Sequence, residues 1–585
     1  LAVIKNVLSI KADASARLGK RETEQRESDM NIPYKQGPNL ADEYLGWVDM
    51  AQLAKERDYY TSVNAYIDFT KSFGKHQVSA LAGFNQEYNS HRYMRGEREE
   101  LISSSLPSVE LATGSARVRE DNYEWATRGG FFRLNYIYNN KYIFEANGRY
   151  DGSSRFPKND RFGFFPSISA AWIISQEKFM HATQNWLNYA KLRISYGALG
   201  NQDVSYYEYI ASMGSSEQQL LINGIKPMGV TPSGLVSNSL TWEKVYTKNI
   251  GLDLNFFNNR LTFSGDIYRR DTKDMLTKGK TLPSVLGALE PRINAADMKT
   301  EGWEISLGWR DLFNLGNKPF SYNVKFILSD NRSFITRFDN PTGNLDDWYE
   351  GCEIGEIWGL VTEGFFKDQA DIDNHADQWD VTSYPGDRPI EPGDLKYKDL
   401  DNNGKINNGS WTVNDPGDYK VIGNNASRYN YGADFTAEWN GLDFRVLLQG
   451  VGKKDWYPES HYFFGIYRAP WGNVLENNLD HWTPENTDAY FPRLKSYIAE
   501  GGKDLAINQT RYLQNAAYLR IKNITIGYTL PKKFTMKAKL ERVRLYLTGD
   551  NIFEFTKLSK NYDPEILGTS HPMQRLFTFG LNLSF

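Results

Sequence analysis

Residues 575–585 read R-L-F-T-F-G-L-N-L-S-F. Phe577, Phe579, Leu581, Leu583 and Phe585 alternate with Thr578, Gly580, Asn582 and Ser584. Strict period two places the apolar set on one face of a β-strand and the small or polar set on the other. An apolar strand at the end of a chain invites edge-to-edge aggregation unless something covers that face. On these residues alone, two architectures remain open. One is a sandwich strand. The other is a closing strand of a membrane barrel that ends on an aromatic carboxy-terminus.

The same alternation recurs along the chain. Ile250, Leu252, Leu254 and Phe256 alternate with Gly251, Asp253 and Asn255. Trp303, Ile305, Leu307 and Trp309 alternate with Glu304, Ser306 and Arg310. Charged residues such as Glu145, Arg149, Asp266, Asp434, Glu438, Asp443, Arg445 and Arg544 occupy the polar rows. In a sandwich they would face solvent, and in a barrel they would face a wet lumen or hold a plug by ion pairs. Segment length favours the barrel, since a tilted crossing takes about 9–11 residues. Sixteen crossings are expected: 5–17, 60–72, 77–93, 126–138, 141–153, 162–174, 189–199, 244–257, 260–275, 298–311, 320–338, 427–439, 442–456, 517–530, 541–556 and 572–585. The apolar phase slips near Lys522-Asn523, which predicts a bulge there.

Connections alternate in length. Tight turns are expected at Gly74-Lys75, Asn139-Asn140, Asn258-Asn259, 315–317 and Asn440-Gly441, where Gly and Asn tolerate positive φ. Long loops are expected at 18–58, 95–125, 276–297, 339–426, 457–516 and 557–571. Short turns on one side and long loops on the other suit an outer-membrane barrel with its short turns and carboxy-terminus in the periplasm. The segments 175–188 and 531–540 are long enough for a helical turn or two. The expected organisation is therefore an all-β transmembrane antiparallel barrel over residues 1–585, with extracellular loops at 339–426 and 457–516.

Composition narrows the function. The 68 Lys+Arg against 72 Asp+Glu argue against nucleic acid as a partner. Mean hydropathy is -0.58 and no apolar run of helix-spanning length occurs, which excludes a helical membrane protein but not a barrel. The single cysteine, Cys352, rules out a disulfide framework, and the seven His show no metal-ligand spacing. No nucleophile–base set or phosphate loop stands out, so no catalytic residues are assigned. The chain starts at Leu1 without an initiator Met and reads as a mature or truncated piece.

Two local features suggest sites. Asp399, Asp401, Asn403, Lys405 and Asn407 match the first half of a calcium loop, with Gly404 at the bend. Ser410 replaces the closing Glu, and Asp415 or Asp418 would have to substitute from outside the frame. The alternative is an acidic surface turn that holds nothing. The second feature is aromatic density in the long loops. Trp348, Trp358, Trp379, Trp456, Tyr462, Phe464 and Trp471 are the candidate ligand contacts, because flat rings beside Asp, Asn and Arg suit sugar stacking. Loop packing or partner contact would use the same residues.

The ordered motifs YDGSSRF (150–156), RFGFFPSISAAWIISQEKFM (161–180), LRISYGALGNQDV (192–204), PGDLKYKDLDNNGKIN (392–407), YLRIKNITIGYTLP (518–531) and VRLYLTGDNIFEF (543–555) carry a resemblance. The chain resembles the SusC/RagA-like family of TonB-dependent outer-membrane transporters of Bacteroidetes. Barrels of that class have 22 strands around a plugged lumen, so the resemblance implies about 16 of 22 strands here, with the plug domain outside this sequence. It also implies active import of an oligosaccharide or a peptide, a SusD-like lipoprotein as lid, the TonB complex as motor, and no chemistry of the chain's own. No cofactor is required, and a structural calcium at the acidic motif is the one candidate ion. A passive porin, an outer-membrane enzyme and a soluble multi-sandwich adhesin are the other readings.

Overall fold

The computed structural model describes residues 2–585 except 5–6, 28–31, 35–42, 46–48, 104, 219, 280–281, 288–289, 383–388, 460, 471 and 569. Among these, sixteen long strands occupy the sixteen expected segments. They are β1 (Leu8–Glu27), β2 (Met50–Phe73), β3 (His76–Glu99), β4 (Ala116–Tyr138), β5 (Tyr142–Ser153), β6 (Phe162–Ile173), β7 (Leu187–Asn201) and β8 (Glu243–Phe256). They continue with β9 (Leu261–Lys278), β10 (Arg292–Leu315), β11 (Lys318–Arg337), β12 (Arg428–Trp439), β13 (Leu442–Lys453), β14 (Tyr518–Thr529), β15 (Arg542–Thr556) and β16 (Leu576–Ser584). All sixteen, with the short strand Ala2–Ile4, belong to one 17-stranded sheet. No helix among the described residues is long and apolar enough to cross a membrane.

The chain forms two compact units. The first comprises Leu1–Ala170, Tyr196–Tyr246 and Asp274–Asn294. Within it β1 to β5 pair antiparallel in sequence order. The second comprises Ala171–Ser195, Thr247–Lys273 and Ala295–Phe585. Within it β10 to β16 likewise pair in order.

The tight turns form where positive φ was expected. Asn139 and Asn140 take φ of 52° and 55°, and Asn440 and Gly441 take 48° and 88°. Lys522 is passed over in the β13–β14 register between Ile521 and Asn523 while Leu448 and Leu447 follow without a gap, which is the expected bulge. Short helical turns fill Lys178–Thr183 and Lys532–Thr535.

Several strands run longer than expected. β2 and β3 each have 24 residues and β4 has 23. About 9–11 residues suffice to cross a bilayer, so this ribbon is about twice the length a crossing needs. In the excess length both faces are polar, as with Lys55, Glu56, Arg57 and Asp58, so period two fades from the sequence.

The alternating rows do not meet one another in a dry interior. Phe579 is 73% exposed and Ile267 71%. The opposite rows are polar and bonded along the wall. Asn64 donates to Asp13 at 2.9 Å and Asn85 donates to Asn64 at 2.6 Å. Buried apolar clusters form instead where strands meet their long connections. One gathers Phe156, Phe165, Val204, Leu240 and Trp242 in the first unit. The larger one lies in the second unit, among the long connections themselves.

Candidate functional site

The connections 338–427, 454–517 and 557–575 build one hydrophobic core. Leu360, Leu395 and Tyr397 come from the first, Phe463, Phe491 and Tyr512 from the second, and Leu558 and Tyr562 from the third. The rings meet edge to face or stacked: Phe463–Phe464 lie 5.0 Å apart at 86°, and Phe491–Tyr512 lie 5.5 Å apart at 19°. The Leu360 N–H donates to Asn508 O at 2.9 Å and the Thr510 N–H donates back to Leu360 O at 3.1 Å, so backbone ties the first connection to the second. These segments are a folded cap with its own interior rather than separate loops.

The six candidate aromatics among the described residues scatter over that cap. Phe464 is 1% exposed and serves the core, leaving no face for a ligand. Trp456 packs edge-on against Tyr562 at 4.8 Å, and Trp348 against Phe338 at 5.8 Å. Trp358 donates its indole N–H to Glu356 at 2.9 Å. Among the described candidates, Trp379 and Tyr462 present rings to solvent, at 37% and 56% exposure. Trp471 lies outside the described residues. The sequence marks the aromatics but not their burial, because core and contact rings look alike without a periodic strand to orient them.

The calcium-loop residues fold as a tight acidic turn. Asp399 accepts the Asn402 and Gly404 N–H groups at 2.7 and 2.9 Å. Asp401 accepts the Asn403 N–H at 3.0 Å, and Asn403 Oδ1 accepts the Lys405 N–H at 2.7 Å. Asn407 Oδ1 turns back to the Gly409 N–H. Of the two carboxylates outside the frame, Asp415 is engaged by Ser410, whereas Asp418 reaches the turn. Asp418 accepts the Leu400 and Asn407 N–H groups, and one oxygen from each of Asp399, Asp401 and Asp418 lies within 4.8 Å of the other two. Burial pushes the Asp418 carboxyl up, and the charges of Asp401 and Asp399 push it further. Three hard oxygen donors at that spacing fit a divalent cation such as calcium.

The polar row of the strands is largely self-paired. Arg193 lies between Asp253 and Asp266, at 2.8 and 2.9 Å. Arg445 grips Asp434, and Arg544 grips Asp443. These charges brace the wall.

One group escaped the sequence. Asp58, His91 and Tyr123 sit side by side on β2, β3 and β4. His91 Nδ1 is 2.9 Å from Asp58 Oδ1. Tyr123 stacks on His91 at 4.5 Å and on Tyr206 at 4.1 Å, and Arg155 covers the Tyr206 ring at 4.4 Å. Glu56, Asp58 and His91 also present donors within 4.8 Å of one another. No sequence spacing reveals them, because strand register alone brings them together.

Residues 11–415 match the family described as TonB dependent receptor-like, beta-barrel. The chain belongs to that family. As a receptor barrel of the bacterial outer membrane, it is 27% identical over 580 residues to TonB-dependent receptor SusC of Bacteroides thetaiotaomicron, covering 97% of this chain and 53% of the relative. It is 29% identical over 556 residues to TonB-dependent receptor P3 of Formosa agariphila, covering 89% and 52%. The receptor barrel thus spans about half the length of these curated relatives. Its fold is that of a chain in the RagAB peptide transporter, with a TM-score of 0.80 at 22% identity over 99% of this chain and 60% of the other.

Proposed function

We propose that this receptor barrel serves TonB-driven import of an oligosaccharide or a peptide across the outer membrane, working with a SusD-like surface lipoprotein. The observation that carries the reading is the match of residues 11–415 to the TonB-dependent receptor barrel, together with apolar rows that face outward. The long connections face the cell exterior and the short turns and carboxy-terminus face the periplasm. The folded cap forms the rim against which the lipoprotein closes. Trp379 and Tyr462 are the candidate aromatics best placed to touch cargo or lid, and the turn at Asp399, Asp401 and Asp418 takes a structural calcium ion.

The test is uptake by cells carrying or lacking the gene, with a panel of labelled oligosaccharides and a labelled peptide mixture. Import that requires both the gene and TonB supports the reading. Import that persists without TonB makes the protein a passive channel and overturns it.

A further inference from the structure

The outer wall of the second unit changes character at one height on neighbouring strands. On β8 the outward row passes from Ile250 to Lys248, and on β9 from Ile267 to Arg269. On β10 it passes from Trp303 to Glu301 and Lys299, and on β11 from Leu328 to Asp330, Arg332 and Phe334. Register fixes the level on β10 and β11, since Lys299 pairs with Phe334, Glu301 with Arg332 and Trp303 with Asp330, and the β8 and β9 residues line one groove with them. Each change occurs toward the long-connection end of its strand. Below it, β10 continues outward with Ile305, Leu307 and Trp309. Such a change of character is what a barrel wall shows where hydrocarbon gives way to headgroups.

A groove of about 880 Å³ straddles that boundary. Its apolar side is made by Ile194, Ile250, Ile267 and Trp303, and its polar side by five cations, Lys248, Arg269, Lys299, Arg332 and Arg428, against two acids, Glu301 and Asp330. Arg428 is committed to Asp330. The others keep free edges. The Arg269 and Arg332 side chains are each half-exposed although Asp271 and Glu353 hold one side of them. Lys299 reaches Glu301 only at 3.7 Å, and Lys248 has no ion pair among the described residues. Phe334 lies under Lys299 at 5.3 Å and Arg332 at 4.9 Å, which fixes both cations at the rim of the groove.

We propose that this groove binds a phosphorylated, acylated glycolipid of the outer leaflet, its phosphate among Lys248, Arg269, Lys299 and Arg332 and an acyl chain along Ile250, Ile267 and Trp303. A soluble anion would need no apolar floor at the hydrocarbon boundary, and a neutral lipid would need no excess of cations there. Basic side chains at a membrane surface each strengthen attraction to anionic lipid. The proposal rests on the outward placement of the long connections. If they faced the periplasm, the groove would meet the diacyl phospholipids of the inner leaflet instead.

The test is native mass spectrometry of the full chain extracted from outer membranes, followed by titration with lipid A and with phosphatidylglycerol. The variants are K248Q/K299Q, which breaks no close ion pair, and K248Q/R269Q/K299Q. A control, K532Q/K533Q, removes cations at the short-turn end. Heat-modified migration on gels verifies that each variant folds. We expect lipid A to remain bound to the wild type and the control, and to lose at least about tenfold in affinity in the triple variant, with an intermediate loss in the double variant. Equal lipid A binding in wild type and triple variant overturns the proposal. So does preferential loss of phosphatidylglycerol with lipid A unaffected, which would place the groove in the other leaflet. Neither outcome depends on cargo uptake, so failure here is distinct from failure of the import reading.

Discussion

Arg520, 1% exposed on β14, holds Asp563 of the last long connection at 2.8 Å. Glu565 from the same connection lies 3.3 Å from Arg520 and 2.6 Å from Lys522 at the bulge. The bulge therefore aims two cations at a connection that also contributes Tyr562 to the cap core. Removing one partner of a buried pair leaves an uncompensated charge and costs about 3–5 kcal/mol. Arg520→Met is expected to loosen residues 557–575 first, seen as early protease cleavage and faster amide exchange there, while β16 stays protected.

The cap has a titrating interior. Asp504 is buried, accepts the Tyr397 hydroxyl at 3.0 Å, and lies near Asp394, which is paired with Lys495. Burial pushes its carboxyl up to about 8, with the Asp394 charge adding to the rise. An unfolded Asp has lost its proton above about pH 4, so from there to about pH 8 the native state holds a proton that the unfolded chain does not. This stabilising contribution is full below about pH 4 and is lost as pH rises through about 8. Exchange protection of the cap is expected to fall between about pH 5 and 8 in the wild type. In Asp504→Asn it should fall less.

The outward rows give a depth-dependent prediction. A cation at the bilayer midplane costs about 2–4 kcal/mol on a barrel's lipid face and about 0–1 kcal/mol near the interface. Leu307→Arg, in the apolar band, is expected to fall in the first range, and Glu301→Arg, at the boundary, in the second. Equilibrium unfolding of the barrel in lipid measures both.

The acidic turn predicts a calcium effect. Added calcium should raise the melting temperature of the cap in the wild type. Asp401→Asn and Asp418→Asn should each abolish that rise, whereas Asp415→Asn, already engaged by Ser410, should retain it.

The strands were legible because two environments impose period two on residues such as Ile305, Leu307 and Trp309. Turns were legible because positive φ selects Asn139-Asn140 and Asn440-Gly441. The slip at Lys522 was legible because a bulge shifts the apolar phase. Legibility ended where the two faces became alike. The upper half of the β2–β3–β4 ribbon is polar on both sides, so neither its length nor the Asp58–His91–Tyr123 row could be read. In the cap, Phe464 and Tyr462 are near neighbours with opposite fates, and only long-range packing separates them.

The most direct test is a nitroxide scan along β10 from Gly302 to Trp309, after Cys352→Ser, with the protein in lipid vesicles. The account predicts alternation: labels at 303, 305, 307 and 309 relax with oxygen, and labels at 302, 304, 306 and 308 relax with a water-soluble nickel complex. Loss of that alternation, or shielding of the odd positions from both reagents, would contradict it.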